Sequence, residues 1–252
     1  MKYVFIEMDL FLAHHKVDDA IIHAFLALHQ QGHKIYLCTR HNRGALKNLP
    51  LPVDGVIASA GSYIEDHAQE LMNENLSNED VYKLEAALNG VGVMYQLETT
   101  DIIYMDVRLL KKRLGKLLEG AQINVETGRR VKAFEEQEGI CELSKYSGEA
   151  VHKIGFKTDA LKKIKFVEEA YGNDYQFVYF HEDASGIAGE IRMKNVTVAD
   201  GVKAVLQFEN ASIKDAIALC EMVDDLGLKD ALPEAIVMDG NRAEEFKKHH
   251  LI

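Results

Sequence analysis

The chain has 252 residues, of which 47% are hydrophobic, and it can therefore bury the core of one large domain or of a domain with a smaller insertion. It carries 29 Lys and Arg against 40 Asp and Glu, a net charge of −11. This balance argues against binding to nucleic acid or to an anionic membrane, because both are negatively charged. A small substrate or a divalent cation is the expected ligand.

The cysteines and the N-terminal segment indicate a cytoplasmic protein. Cys38, Cys141 and Cys220 are far apart, with neither the spacing of a disulfide framework nor that of a zinc site. Residues 1–8 lead directly into a strand-like run and lack the pattern of a secretory signal peptide. No stretch approaches the roughly 18 apolar residues that a membrane span needs.

The first predicted elements alternate between strand and helix. Residues 2–9 form an apolar run with an acidic end, which is typical of a strand buried on both faces of a parallel sheet. A helix is predicted over residues 17–31, with Gly32 directly after its end. Strands are then predicted at residues 34–39 and 55–59.

A second alternating segment closes the chain. Helices are predicted at residues 202–208, 223–228 and 242–249, and strands at 216–220 and 235–238. Together with the first elements, this segment predicts an α/β protein whose core is a doubly wound, parallel, Rossmann-like sheet with right-handed crossovers. We assign residues 1–76 and 190–252 to this core domain.

Residues 77–189 have an alternation of their own and predict an inserted α/β domain. Ser77 is the expected N-cap of its first helix. The predicted helices cover residues 78–89, 106–118 and 159–171, and the predicted strands cover 91–97, 102–105, 151–156 and 176–181.

Polar residues stand at the ends of the predicted parallel strands, where open sheets bind their ligands. In chain order they are Glu7 and Asp9, Thr39 and Arg40, the segment 59–62, and Glu221, Asp224 and Asp225. Several carboxylates in one cleft repel each other unless a cation neutralises them, so these oxygen ligands indicate a Mg²⁺ site. The alternative is that the carboxylates cap helices or lie in solvated loops.

Five segments in this order resemble motifs of one known family. They are Glu-Met-Asp-Leu-Phe-Leu at 7–12, Cys-Thr-Arg-His at 38–41, Ser-Ala-Gly-Ser at 59–62, Cys-Glu-Met-Val-Asp-Asp at 220–225 and Val-Met-Asp-Gly-Asn-Arg-Ala at 237–243. They resemble the motifs of the Cof-type phosphatases of the haloacid dehalogenase superfamily, and the resemblance extends along essentially the whole chain. It implies that the inserted domain is a cap that selects the substrate.

The resemblance also implies roles for individual residues. Glu7 would attack phosphorus as the nucleophile, and Asp9 would act as general acid and then as general base. Thr39 and Arg40 would bind the phosphoryl oxygens. The implied Mg²⁺ ligands are Glu7, Asp9, Glu221 and Asp225, with Asp224 and Asn241 as supporting residues.

Several positions depart from the family pattern. Glu7 is one methylene longer than the aspartate of the family, and Asp200 stands where the family has a lysine. Lys194 and Lys203 are the nearby candidates to replace that cation. Leu10 and Phe11 replace the glycine and threonine of the first motif.

Two functions are consistent with this pattern. The first is a Mg²⁺-dependent phosphatase of small phosphorylated metabolites such as sugar phosphates. The second is a catalytically inactive relative that binds a phosphorylated ligand or a protein partner.

Overall fold

The computed structural model of the chain describes residues 1–8, 17–119, 124–183, 186–220, 226–238 and 246–248. It divides into two compact units, residues 1–74 with 196–252, and residues 75–195. The last strand of the second unit runs from Gly186 to Met193 and passes through residue 189, where the sequence analysis ends the inserted domain. Gly and Ala residues in this strand explain why the sequence does not predict it, because both residue types are depleted in strands.

The secondary structure alternates as the sequence predicts. In the described residues the strands are β1 (Tyr3–Glu7), β2 (Lys34–Cys38), β3 (Gly55–Ala58), β4 (Tyr63–Asp66), β5 (Gln69–Asn73), β6 (Met94–Thr99), β7 (Ile103–Met105), β8 (Ile140–Glu142), β9 (Val151–Thr158), β10 (Tyr175–Asp183), β11 (Gly186–Met193), β12 (Ala216–Cys220) and β13 (Ala235–Val237). The helices are α1 (Asp19–Gln30), α2 (Asn78–Gly90), α3 (Val107–Leu117), α4 (Val125–Glu138), α5 (Leu161–Tyr171), α6 (Val198–Phe208) and α7 (Leu228–Ala231).

The sheet of the first unit has the order β13-β12-β1-β2-β3-β4-β5. Strands β13, β12, β1, β2 and β3 are parallel, and β4 and β5 add an antiparallel hairpin. The parallel part confirms the predicted doubly wound α/β core. The sequence analysis does not contain the hairpin.

Both faces of this sheet are covered by apolar side chains. Val4 and Ile6 of β1 pack with Phe25 and Leu28 of α1 on one face. Phe5 of β1 lies in a second cluster, on the other face, with residues of α6 and α7. Burial on both faces explains why the central strands are continuous apolar runs in the sequence.

The second unit contains a six-stranded sheet in the order β10-β11-β9-β6-β7-β8, in which only the β7–β8 pair of described strands is parallel. Residues of α2 and α5 lie in the larger apolar cluster of this unit. Leu109 and Leu110 of α3 and Phe134 of α4 form a second cluster with β7 and β8. Ser77 caps α2 as expected, since its hydroxyl accepts a hydrogen bond from the Asp80 amide at 3.1 Å.

The last predicted helices are only partly tested. Strand β13 matches the predicted segment closely, whereas residues 223–225 and most of residues 242–249 lie outside the described residues. The described end of the helix predicted at 223–228 differs, because Leu226 and Gly227 are not helical and α7 begins at Leu228. None of the described helices is long and apolar enough to cross a membrane.

Candidate active site

Glu7 is the last residue of β1, a strand in the middle of the parallel part of the first sheet. Only 3% of its surface is exposed. It lies beside Cys38 at the end of β2, and adjacent strands are about 4.8 Å apart. The structure therefore places a buried carboxylate at the carboxyl edge of the sheet, at the predicted position. Asp9, with Leu10 and Phe11, lies outside the described residues.

Thr39 follows β2 and begins a tight turn at the same edge. Its amide donates to the carbonyl oxygen of Ile57 at 2.9 Å, and its carbonyl accepts from the amide of Ala60 at 3.0 Å. The hydroxyl accepts from the amide of His41 at 3.0 Å, and the whole residue is buried. A threonine hydroxyl in this role still has its proton to donate to a ligand. Arg40, the next residue, is half-buried.

The segment 59–62 makes a buried turn after β3. Ser59, Ala60 and Gly61 all have positive φ angles, of 50°, 56° and 105°. For a non-glycine residue this conformation costs of order 1 kcal/mol or more, and such strain concentrates at functional sites. The hydroxyl of Ser59 is buried and makes no hydrogen bond within the described residues.

Gly61 brings this turn against the start of α6. A Cβ atom at Gly61 would lie 2.4 Å from the backbone carbonyl carbon and oxygen of Thr197. The Thr197 hydroxyl caps α6 by accepting from the Asp200 amide at 3.2 Å. Helix α6 therefore begins at residue 198, earlier than the predicted residue 202.

Asp200 is the residue that the sequence analysis aligns with the family lysine. Its carboxylate accepts from the Thr197 hydroxyl at 2.6 Å and pairs with Lys203 at 3.2 Å. These two partners lower the pKa of Asp200, the Thr197 hydrogen bond most. The ammonium of Lys194, the other candidate cation, donates to the carbonyl oxygen of Asn173 at 2.7 Å.

The remaining predicted ligands follow β12 and β13 in the sequence. Glu221, Asp224, Asp225 and Asn241 lie outside the described residues. Strand β12 itself is described and pairs with β1, so that Leu219 lies beside Ile6. Cys220, the last residue of β12, therefore lies next to the end of β1.

The described part of the site brings a carboxylate and hydroxyl groups to one edge of the sheet. Glu7, Thr39 and Ser59 stand at or directly after the ends of three adjacent parallel strands, β1, β2 and β3. A carboxylate can act as a nucleophile or as a hard ligand for Mg²⁺, and a hydroxyl can donate to an anionic oxygen. This combination is suited to phosphoryl chemistry.

Two polar clusters elsewhere escaped the sequence analysis. One joins Asp66 and His67 to Glu209 in the first unit. The other places the buried Lys153 between Glu98 and Glu190 in the second sheet. The available signal was a lysine inside a predicted strand. Its neighbours His152 and Ile154 are both buried and point to the opposite face of the sheet from Lys153, because successive residues of a strand alternate between faces.

The fold and the site define a class of α/β protein in which a doubly wound core receives a second α/β unit between β5 and α6. A sequence model of the haloacid dehalogenase-like hydrolases matches residues 4–249. The chain belongs to this family.

Solved structures show the same fold. A hypothetical protein from Geobacillus kaustophilus HTA426 is 14% identical, with a TM-score of 0.73 over 100% of this chain and 99% of that one. A phosphatase of the same superfamily from Bacteroides thetaiotaomicron is 14% identical, with a TM-score of 0.71 over 100% and 96%. A subclass IIB sugar phosphatase is 16% identical, with a TM-score of 0.69 over 100% of both chains. No curated protein sequence matches the chain significantly.

Proposed function

We propose that the chain is a Cof-type, Mg²⁺-dependent phosphatase of small phosphorylated metabolites such as sugar phosphates. The observation that carries this proposal is the buried carboxylate of Glu7 at the carboxyl end of β1. It stands where the family motif has its nucleophile. The similarity of the fold to a sugar phosphatase supports the substrate class.

In this proposal Glu7 attacks the phosphorus atom of the substrate, and the alcohol leaves with a proton from Asp9. Water then releases phosphate from the Glu7 carboxylate, with Asp9 taking a proton from that water. Thr39 donates its hydroxyl proton to a phosphoryl oxygen, and Arg40 stands beside it as a second phosphate ligand.

The residues at the site fit a magnesium ion. Glu7 supplies a hard carboxylate oxygen at the sheet edge, and β12, which Glu221 and Asp225 follow in the sequence, ends next to the end of β1. When bound, Mg²⁺ would neutralise negative charge on the phosphoryl group. Asp224 and Asn241 are the proposed supporting residues of these ligands.

A second function is favoured by one specific observation. Asp200 aligns in sequence with the lysine that stabilises the transferring phosphoryl group in the family, and its carboxylate accepts a hydrogen bond in the cap of α6. Without that cation, the chain would bind a phosphorylated ligand or partner protein and not hydrolyse it.

Hydrolysis of an aryl phosphate by the purified chain, with Mg²⁺ and with a chelator, tests the two functions. The phosphatase predicts turnover that requires Mg²⁺ and is abolished in Glu7→Gln. The matched control is Glu169→Gln, which makes the same change at an exposed position of α5 and is expected to leave turnover intact.

Turnover that is unchanged in Glu7→Gln would contradict Glu7 as the nucleophile. If the wild-type chain shows no more turnover than Glu7→Gln, binding of inorganic phosphate measured by calorimetry separates the alternatives. Phosphate binding without turnover would favour the inactive relative.

A further inference from the structure

Three potential metal ligands converge at the end of the first sheet opposite the candidate active site. Asp66 ends β4, His67 is the first residue of the β4–β5 turn, and Glu209 directly follows α6. One carboxylate oxygen of Asp66 and one of Glu209 each lie 3.6 Å from Nε2 of His67. All three ligand atoms lie within 4.8 Å of one another.

This spacing is close to that of ligands around a tetrahedral ion. Ligand atoms about 2.0–2.1 Å from a zinc ion at tetrahedral angles are about 3.3 Å from each other. The two oxygen–nitrogen distances of 3.6 Å would have to shorten by about 0.3 Å to reach this spacing. The exposed imidazole of His67 leaves the cluster accessible from solvent.

The other oxygen of each carboxylate is already held in place. Oδ2 of Asp66 accepts from the hydroxyl of Tyr36 at 3.4 Å. Oε2 of Glu209 accepts from the hydroxyl of Tyr3 at 3.4 Å and from the ammonium of Lys34. Hydrogen bonds of this kind orient carboxylates that bind metals.

Oδ1 of Asp66, the oxygen that faces His67, is buried and accepts no hydrogen bond from any residue that the structure describes. Asp66 is fully buried. A buried carboxylate oxygen without a donor is costly, and this cost is an independent reason to expect a ligand here.

The charges of the cluster also favour a bound cation. Lys34 pairs with Glu209, and its ammonium also lies 3.4 Å from Nε2 of His67, so that zinc would displace it from this nitrogen. Burial, and then the charge of Glu209, raise the pKa of Asp66. A divalent ion between the two carboxylates would remove this repulsion.

The backbone of the β4–β5 turn is strained at the histidine. His67 and Ala68 have φ angles of 46° and 61°, in the left-handed region that two-residue hairpin turns usually fill with Asn and Gly. The His67 amide donates to the carbonyl oxygen of Asp54 at 2.7 Å and holds the turn in place. A histidine held in such a conformation points to a function for its side chain.

We propose that Asp66, His67 and Glu209 form a binding site for Zn²⁺ that links the β4–β5 turn to the end of α6. Imidazole nitrogen and carboxylate oxygen both bind zinc, and with three protein ligands a water molecule would be the fourth. Magnesium prefers oxygen ligands alone, so the imidazole favours zinc. The site is separate from the candidate active site and does not depend on phosphatase activity.

The test is calorimetric titration of the metal-stripped full chain with ZnCl₂, in excess Mg²⁺ to fill the candidate magnesium site. We expect one Zn²⁺ per chain, and an affinity at least tenfold lower in His67→Gln. His29→Gln is the matched control, because Nε2 of His29 lies 3.6 Å from a single carboxylate oxygen, that of Asp54. It is expected to bind zinc as the wild type does.

Two further variants fix the location of the ion. Asp66→Asn keeps the shape of the side chain, removes a ligand charge and is expected to weaken zinc binding as His67→Gln does. Glu7→Gln is expected to leave zinc binding unchanged. Zinc binding that is lost in Glu7→Gln, or retained in both His67→Gln and Asp66→Asn, would overturn the proposal. Circular dichroism of each variant checks that it is folded.

Discussion

Thr197 and Asp200 exchange two hydrogen bonds at the start of α6, one from the Asp200 amide to the Thr197 hydroxyl and one from that hydroxyl to the Asp200 carboxylate. Asp200, which the sequence analysis aligns with the family lysine, is therefore part of the cap that stabilises the start of α6.

Asp200→Lys should lower the stability of the protein and raise its phosphatase turnover. The variant loses the carboxylate that accepts from Thr197 and places a cation at a helix N-terminus, and together these changes should lower the free energy of unfolding by about 1 kcal/mol. It also restores a cation near the proposed phosphate position, so Mg²⁺-dependent turnover of an aryl phosphate should rise. Urea unfolding and steady-state kinetics measure the two effects.

Asp200→Asn is the control for this variant, since it keeps an acceptor for the Thr197 hydroxyl and adds no cation. We expect a smaller loss of stability and no gain in turnover. If Asp200→Lys is less stable without any increase in turnover, the missing cation does not limit the rate, which would favour the inactive relative.

Gly61→Ala should destabilise the turn that leads from β3 to β4 and packs against the start of α6. The new Cβ would lie 2.4 Å from backbone atoms of Thr197, and φ at this position is +105°. We expect a loss of about 2–3 kcal/mol in the free energy of unfolding. Gly32→Ala is the matched control, because φ is +78° there and nothing lies within 4 Å of the added atom. Equal losses in the two variants would show that the backbone conformation alone matters.

The strand ends could be predicted from the sequence because burial on two faces leaves a continuous apolar run that stops at the first polar residue. Glu7 and Thr39 were found in this way, and both stand at the carboxyl edge of the sheet. The N-cap of α2 could also be predicted, because Ser77 directly precedes an amphipathic segment and serine is a preferred N-cap residue.

Features that depend on tertiary contacts could not be predicted. The hairpin of β4 and β5 turns at His67 and Ala68, which lack the Asn-Gly signal of such turns. Glu209 is brought to His67 only by the folding of α6 onto the sheet. The early start of α6 was missed because Gly201 is a weak helix former.

Lys153→Met should strongly destabilise the second unit. The ammonium of Lys153 is fully buried, in contact with Glu190 and 3.5 Å from Glu98. Removing it leaves the buried Glu98 without its cation and Glu190 with Arg192 as its remaining cation, which costs roughly 3–5 kcal/mol. Thermal or urea unfolding followed by circular dichroism measures the loss. Lys163→Met is the control, because its pair with Asp159 is at the surface, and such pairs contribute about 0–1 kcal/mol.

The loss in Lys153→Met should be the same from pH 6 to pH 9. Burial opposes the charge of Lys153, but the carboxylates of Glu190 and Glu98 outweigh it and raise the pKa of Lys153. A raised pKa in the folded state means that the contribution is complete below the ordinary lysine pKa of about 10.4 and is lost only above it. A loss that disappears near pH 8 would show that Lys153 is neutral in the folded protein.

Glu7→Asp should raise phosphatase turnover. The glutamate is one methylene longer than the nucleophile of the family motif, and a displacement of about 1 Å can lower a rate roughly 10²-fold. We expect kcat to rise by about 10-fold to 10²-fold with Mg²⁺. The shorter side chain leaves a space in a buried position and should cost about 0.8 kcal/mol of stability, so rates are compared per folded molecule.

Glu169→Asp on the exposed face of α5 is the control and should change neither kcat nor stability. An unchanged kcat in a folded Glu7→Asp variant would mean that the length of Glu7 is already matched to this site.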